Sequence, residues 1–407
     1  MLSWNGKIQE EKLRIFQCVS YSKVVCYCWL RQTGYLMLTD GKRDISMSRY
    51  RAAIIGTGSI AGNHIKALHD LKDKVEVVAA MDIVRDRVEE YSKKNGIPHS
   101  YTSAVEMLEK EHPDLVHIAT PPNTHYHLII QALQAGADVL CEKPLCTSLA
   151  ELDHIVAIEQ QTGKFCSSIF QWRFGSRGQH FKQLIQEKAL GRPLVGMCQT
   201  TWFRNAAYYE VPWRGKWSTE GGGPTMGHGI HAMDLFLWLL GDWEEVSAFI
   251  GTLDRAIEVE DVSLAMVRFK NRTLGSIVNS VLSPREETYL RFDFQKATVE
   301  LTGLYGYTNE NWRFTQPKGQ TDDAVLARWD ELTLNTPSSH KTQLSQLLES
   351  LDQQKRPLSS TSDIRSTLEF LTAIYKSAAT GQKVQQGSIV AGDPFYDHVS
   401  GIRQQGS

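Results

Sequence analysis

The sequence predicts an α/β chain in two parts: a doubly wound parallel sheet, then an α+β part built on an open, mainly antiparallel sheet. Three observations carry this. Between Arg51 and Phe170, short apolar runs alternate with helical stretches, as in a parallel sheet with crossover helices. The first apolar run ends in a glycine-rich turn that leads into a helix. Beyond Leu194, strand-like runs instead follow one another with short links, which implies antiparallel pairing.

Composition sets the bounds. A chain of 407 residues, 42% hydrophobic and 22% charged, is long enough for two or three domains with sizeable cores. A net charge of -2 without a long basic block excludes nucleic acid and an anionic membrane as main partners. Seven scattered cysteines with no CxxC pair argue against a disulfide framework or a structural metal, and for a reducing, cytoplasmic setting. Residues 1–46 differ from the rest: they hold Cys18, Cys26 and Cys28 and show no periodicity. Their apolar stretch from Val24 to Leu38 is broken by Arg31 and Gly34. It is too short to span a bilayer and lacks the layout of a signal peptide. The segment reads as an upstream extension before a natural start at Met47, or as a poorly ordered arm.

The elements of the first part follow in order. Ala52–Ile55 is a buried strand, and GTGSIA, Gly56 to Ala61, is G-x-G-x-x-A between a strand and a helix. Gly56 permits the tight turn, Gly58 lets the backbone approach a pyrophosphate, and Ala61 keeps helix and strand close; Thr57, Ser59 and Ile60 complete the loop. This is the phosphate cradle of a dinucleotide-binding Rossmann domain, with free N–H groups at the helix start. The second strand, Val75–Ala80, leads to Asp82, which can accept both ribose hydroxyls of an adenosine and would repel a 2′-phosphate. NAD is therefore preferred over NADP, although Arg85 and Arg87 lie close. A helix from Ser103 to Glu111 and a strand Leu115–Ala119 lead to Thr120-Pro121-Pro122-Asn123-Thr124-His125, where Asn123 can cap the next helix. Val139 to Pro144 reads as a short buried strand halted by Pro144, which leaves Glu142 and Lys143 at its carboxyl end. Open α/β sheets place ligands there. A helix over Leu149–Gln160 and a strand over Phe165–Phe170 close the domain.

In the second part, Phe181–Glu187 reads as a helix, and strands are expected over Leu194–Phe203, Glu245–Leu253, Val262–Lys270, Thr273–Leu282 and Thr288–Phe294. Lys270-Asn271-Arg272-Thr273 is a hairpin turn. Val262, Leu264, Ala265, Ile277 and Val278 supply apolar surface for a homodimer or homotetramer formed through the sheet. Ser362–Gly381 is a long amphipathic helix. The organisation is thus a dinucleotide-binding domain over 47–170, a substrate and oligomerisation domain over 171–395, and a tail over 396–407.

GTGSIAGNH, ATPPNTH and CEKP, in this order and at these separations, resemble the Gfo/Idh/MocA oxidoreductase family over nearly everything from Arg51 onward. The resemblance implies a Rossmann domain followed by an open-sheet domain, and NAD(P)-dependent dehydrogenation of sugars, cyclitols and related polyols. It places Thr120, Pro121 and Glu142 beside the cofactor, with Glu142 on the nicotinamide ribose. Asn123 and His125 either border the nicotinamide or cap the surface. The family pattern continues as GGG, an acid, then His and Asp; His231 and Asp234 match the last two, but the acid falls on Gly227. The Lys-Asp-His set of the family is therefore incomplete, and His228 beside the gap either substitutes or only lines the cleft.

Alcohol oxidation by hydride transfer needs a base for the hydroxyl proton, and histidine suits it. We assign His231 that role, with Lys143 stabilising the developing alkoxide. Substrate contacts are expected from Lys143, His231, Arg173, Arg214 and Trp217. His228, His231 and Asp234 drift around the helix without a fourth ligand, so no metal is expected. Two other readings share this fold: a glycosidase that uses bound NAD transiently, and a cofactor-sensing binding protein.

Overall fold

The computed structural model describes residues 49–401, so the expectations for residues 1–46 and for the end of the tail lie outside the described residues. Strands β1 (Tyr50–Ile55), β2 (Val75–Met81), β3 (His99–Tyr101), β4 (Leu115–Ile118), β5 (Asp138–Cys141) and β6 (Cys166–Ser168) form one sheet in the order β3-β2-β1-β4-β5-β6. Every pairing in it is parallel. All four residues of β4 and of β5 are buried, because helices cover both faces. The order reverses between β1 and β4, which opens a crevice at their carboxyl ends.

Strands β7 (Pro193–Phe203), β8 (Trp243–Gly251), β9 (Val262–Phe269), β10 (Leu274–Ser280), β11 (Leu282–Phe294), β12 (Thr298–Gly303), β13 (Trp312–Thr315) and β14 (Val384–Gln385) form the second sheet, ordered β13-β12-β11-β7-β10-β9-β8-β14. Its pairings are antiparallel except β7 with β10. The hairpin expected between β9 and β10 is present: Arg272 takes φ +72° and its N–H bonds Phe269 at 2.9 Å.

Helices Ile230–Leu240 and Thr361–Thr380 cover one face of this sheet. Phe236 meets Phe269 and Phe292, and Trp243 meets Phe370, with ring centroids 5.3–5.7 Å apart. Side chains alternate between faces with period two. Ala265 and Ile277, expected on the outer surface, therefore turn inward and are buried. Phe249, Leu264, Met266 and Leu274 stand on the opposite face and are exposed.

Four strands lie beyond the sequence reading. Three of them, β3, β13 and β14, are short edge strands of two to four residues, too brief to show a period. The fourth, β12, follows β11 after only a tight turn. Asn123 does not cap its helix: Pro121 holds the cap position, and Asn123 lies inside the first turn of Pro122–Gln134. The first proline fixes an extended entry, and the second needs no N–H at the first helical position.

The chain then returns to the first sheet. Helix His340–Asp352 packs on helix Ala61–Asp70, adding Leu344, Leu347 and Leu348 to a core with Ile54, Ile65 and Leu68. Past the second sheet, Phe395 and Val399 are buried, and the Tyr396 hydroxyl donates to Asp153 at 2.7 Å. These contacts bring His340 and the last described residues back against the dinucleotide-binding part.

Candidate active site

A cleft of about 1970 Å³ runs from Gly58 and Asp82 past Glu142, Lys143 and His231 to Tyr208 and Tyr305. Its floor is the carboxyl edge of the first sheet, and its far wall comes from β7 and the loops before helix Ile230–Leu240.

At one end the residues fit a dinucleotide. Gly56 takes φ +90°, and a Cβ there would lie 2.7 Å from the Ala119 carbonyl, so only glycine makes this turn. A Cβ on Gly58 would meet nothing within 4 Å, which leaves an open cradle over the loop of Ser59 and Ile60. Asp82 is buried and accepts the Thr57 N–H at 3.0 Å, the Thr57 hydroxyl at 2.9 Å and the Val84 N–H at 3.0 Å. Burial pushes its carboxyl up, but these bonds and Arg87 outweigh it and hold the group below the usual carboxylate range. Thr57 thus braces Asp82 and does not line the cleft. Thr120, Pro121 and Asn123 do line it. His125 is fully buried behind them, bridging the Pro144 carbonyl at 2.8 Å and the Thr120 carbonyl at 2.9 Å, and holds the two motif loops together.

Glu142 leads a buried network that sequence reasoning did not assemble. Its Oε1 lies 3.2 Å from His64 Nε2 and 3.1 Å from His340 Nε2, while His64 Nδ1 lies 2.9 Å from His117 Nδ1. Burial opposes charge on Glu142, but the two imidazoles outweigh it and hold the carboxyl well below its ordinary range. His64, Glu142 and His340 are the one group of possible metal ligands that converges among the described residues. Their facing atoms are already paired with one another. His64 lay inside a quoted motif without a role; His340 arrives from 198 residues away and carried no local signal.

Lys143 follows Glu142, and its peptide bond to Pro144 is cis. Its Nζ donates to the Gly227 carbonyl at 2.6 Å. Burial depresses its pKa, against the pull of Glu142 and Glu220. His231, in the first turn of helix Ile230–Leu240, lines the same cleft and stands edge-on to Phe170 at 6.2 Å. Its Nδ1 is buried with no hydrogen-bond partner. Burial first and Lys143 second hold its pKa well below the ordinary value, which favours the free base. His228 is more enclosed: its Nε2 sits 3.3 Å from the Tyr208 hydroxyl, and Trp202 packs edge-on at 5.2 Å.

Two expected substrate contacts lie elsewhere. Arg173 is buried, and its guanidinium donates in a fork to Asp234 at 2.6 and 2.7 Å, with Thr367 on the same carboxylate. That pair joins the end of the first domain to helix Ile230–Leu240. It also occupies Asp234, which therefore does not join His228 and His231 as a ligand. Trp217 is outside the cleft, its indole N–H donating to Glu258 at 3.0 Å and its ring against Tyr375. Arg214 does line the cleft, stacked on Tyr208 and Trp213 with its charge 3.9 and 4.4 Å from the ring centres.

A six-strand dinucleotide fold joined to an open sheet, with a lysine and a histidine lining the cleft, defines an NAD-binding oxidoreductase. Residues 50–170 match the oxidoreductase family's NAD-binding Rossmann fold, and residues 179–303 match the Gfo/Idh/MocA C-terminal domain. The chain belongs to the Gfo/Idh/MocA family. It is 25% identical over 379 residues to D-apiose dehydrogenase of Paraburkholderia graminis, covering 88% of this chain and 96% of that one. It is 27% identical over 237 residues to myo-inositol 2-dehydrogenase of Thermotoga maritima, covering 56% and 68%. Among solved structures, the WlbA dehydrogenase of Bordetella pertussis in complex with NADH and UDP-GlcNAcA superposes with a TM-score of 0.75 at 27% identity, covering 84% and 100%.

Proposed function

We propose that this chain oxidises a hydroxyl of a sugar, cyclitol or related polyol, with NAD as hydride acceptor. The observation that carries the reading is that Lys143 and His231 both line the cleft that starts at the Gly58 cradle, close enough for Lys143 to depress the His231 pKa. Bound there, NAD supplies hydride acceptance at the nicotinamide. The loop Gly56–Ile60 holds its phosphates and Asp82 its adenosine ribose, while Glu142, fixed by His64 and His340, takes the nicotinamide ribose. His231, held as a free base, accepts the hydroxyl proton. The Lys143 ammonium donates to the same oxygen and stabilises the charge that grows on it. In the reverse direction His231 returns the proton. Trp202, Tyr208 and Tyr305 give the ring faces, and Arg214 the donor groups, suited to a polyhydroxylated ring.

The sheet face that carries Phe249, Leu264, Met266 and Leu274 supports assembly as a homodimer or homotetramer. Four buried free thiols, Cys141, Cys146, Cys166 and Cys198, suit a reducing, cytoplasmic setting. No described helix is long and apolar enough to cross a membrane.

The direct test is a panel of aldoses, sugar acids, nucleotide sugars and cyclitols with NAD. Stoichiometric NADH formation on one class supports the proposal. Bound cofactor with no NADH formation across the panel opposes it.

A further inference from the structure

Residue 227 is glycine where the family pattern carries an acid, yet the space beside it is not empty of charge. A Cβ built on Gly227 would lie 3.5 Å from Glu220 Oε1, an ordinary contact distance. The Lys143 ammonium is bonded to the carbonyl of the same Gly227 at 2.6 Å. The carboxylate and the ammonium thus both approach the same residue. Glu220 is buried, lines the cleft and is anchored: its Oε2 accepts the Gly215 N–H at 2.6 Å, and Arg214 stands 3.7 Å from Oε1. We propose that Glu220 provides, from a position ahead of the glycine run, the carboxylate that residue 227 lacks, and acts as a positioning residue that supports the Lys143 ammonium beside the reacting oxygen.

The surroundings agree with this role. Lys143 and Glu220 act on each other electrostatically, with Glu142 and Arg214 also facing Lys143, and Arg214 and Glu260 also facing Glu220. Burial, with Glu260 to a smaller degree, raises the Glu220 carboxyl above its ordinary value, although Gly215, Arg214 and Lys143 pull it down. A Cβ at residue 227 would touch only the end of Glu220 and leave it in place, so the glutamate and a side chain at 227 border the same volume. The sequence signal was an acid directly before a glycine run, which alone reads as loop polarity.

The inference rests on the dehydrogenase reading, and its test separates the two. Glu220→Gln keeps the length and an acceptor for the Gly215 N–H but removes the charge. In cofactor-free protein, amine acylation of Lys143 is followed against pH by peptide mass spectrometry. Only the neutral amine reacts, and losing a nearby carboxylate favours it, so the labelling midpoint should fall by about one pH unit. Turnover with NAD should drop ~10- to 100-fold, with NAD affinity within about twofold of the parent. Adding Gly227→Asp to Glu220→Gln should return the midpoint and most of the turnover. Gly227→Asp in the parent chain, which does not depend on Glu220→Gln folding, should raise the midpoint. An unmoved midpoint in Glu220→Gln, or no rescue by Gly227→Asp, overturns the proposal. If no polyol is oxidised by the parent protein, the dehydrogenase reading falls, while the labelling result still decides whether Glu220 acts on Lys143.

Discussion

At the scale of single residues, the division of work proposed for Lys143 and His231 rests on their environments. Burial and Lys143 keep His231 neutral, whereas burial lowers Lys143 and Glu142 and Glu220 oppose that shift. A base with a depressed pKa is inactivated only when acid protonates it. The acid limb of kcat/KM should therefore fall well below pH 6.5, the ordinary histidine value. An ammonium with a lowered pKa loses its proton early, so the alkaline limb should begin below 10.5. A pH–rate profile checks both limbs, and an acid limb centred at or above the ordinary histidine value contradicts the assignment. Lys143→Ala should retain NAD binding and lose turnover by ~10²- to 10⁴-fold, measured by calorimetry beside steady-state rates. Near-normal turnover in that variant removes Lys143 from the mechanism. The sequence displayed Lys143, His231 and Asp82 because each ends a strand or opens a helix within a motif. It could not display the roles of His340 or Glu220, whose relation to the site exists only in three dimensions. It misplaced Arg173 for a related reason: an arginine at a domain junction looks exposed until its partner, Asp234, is seen beneath it.

At the scale of elements, the glycine run shows how close packing sets the site. Gly223 has no room: a Cβ would stand 1.8 Å from the Glu260 carbonyl oxygen. Glu260 in turn accepts the Gly223 N–H at 2.9 Å, the Thr225 N–H at 3.1 Å and the Tyr375 hydroxyl at 3.0 Å, so it cannot yield without unmaking that set. Gly227, four residues on, would meet only the end of Glu220 at 3.5 Å. Gly223→Ala should therefore lower stability by ~1–3 kcal/mol or more, and Gly227→Ala should stay within about 1 kcal/mol of the parent. Thermal or urea unfolding of the two variants checks this, and equal midpoints would show that the turn relaxes freely. Three glycines in a row were legible as a close approach; what hems in Gly222 and Gly223 was not, because Tyr375 and Glu260 come from helix Thr361–Thr380 and from the loop between β8 and β9. The same holds for the strands. Long alternating runs such as β9 declared themselves, whereas β3 and β14, with three and two residues, exist because a neighbouring strand offers them a ladder.

At the scale of the whole molecule, the second sheet has one face closed by helices and one face that is open. Phe249 and Met266 on neighbouring strands β8 and β9 are 81% and 73% exposed, far more than a surface with no partner needs to leave large apolar side chains. Leu264 on β9 and Leu274 on β10 extend the row. Apolar side chains grouped on one flat face lose water together when a second such face covers them, at ~25 cal/mol per Å². Neither Phe249 nor Met266 lines the catalytic cleft, so assembly and chemistry can be separated by mutation. Phe249→Glu with Met266→Glu places like charges where two copies would meet and should convert a dimer or tetramer to monomer. Light scattering coupled to size-exclusion chromatography reads the mass, and near-parental unfolding of the variant excludes a collapsed sheet. A parent protein that is monomeric at all concentrations, or an assembly that survives both charges, would assign the exposed face some other role.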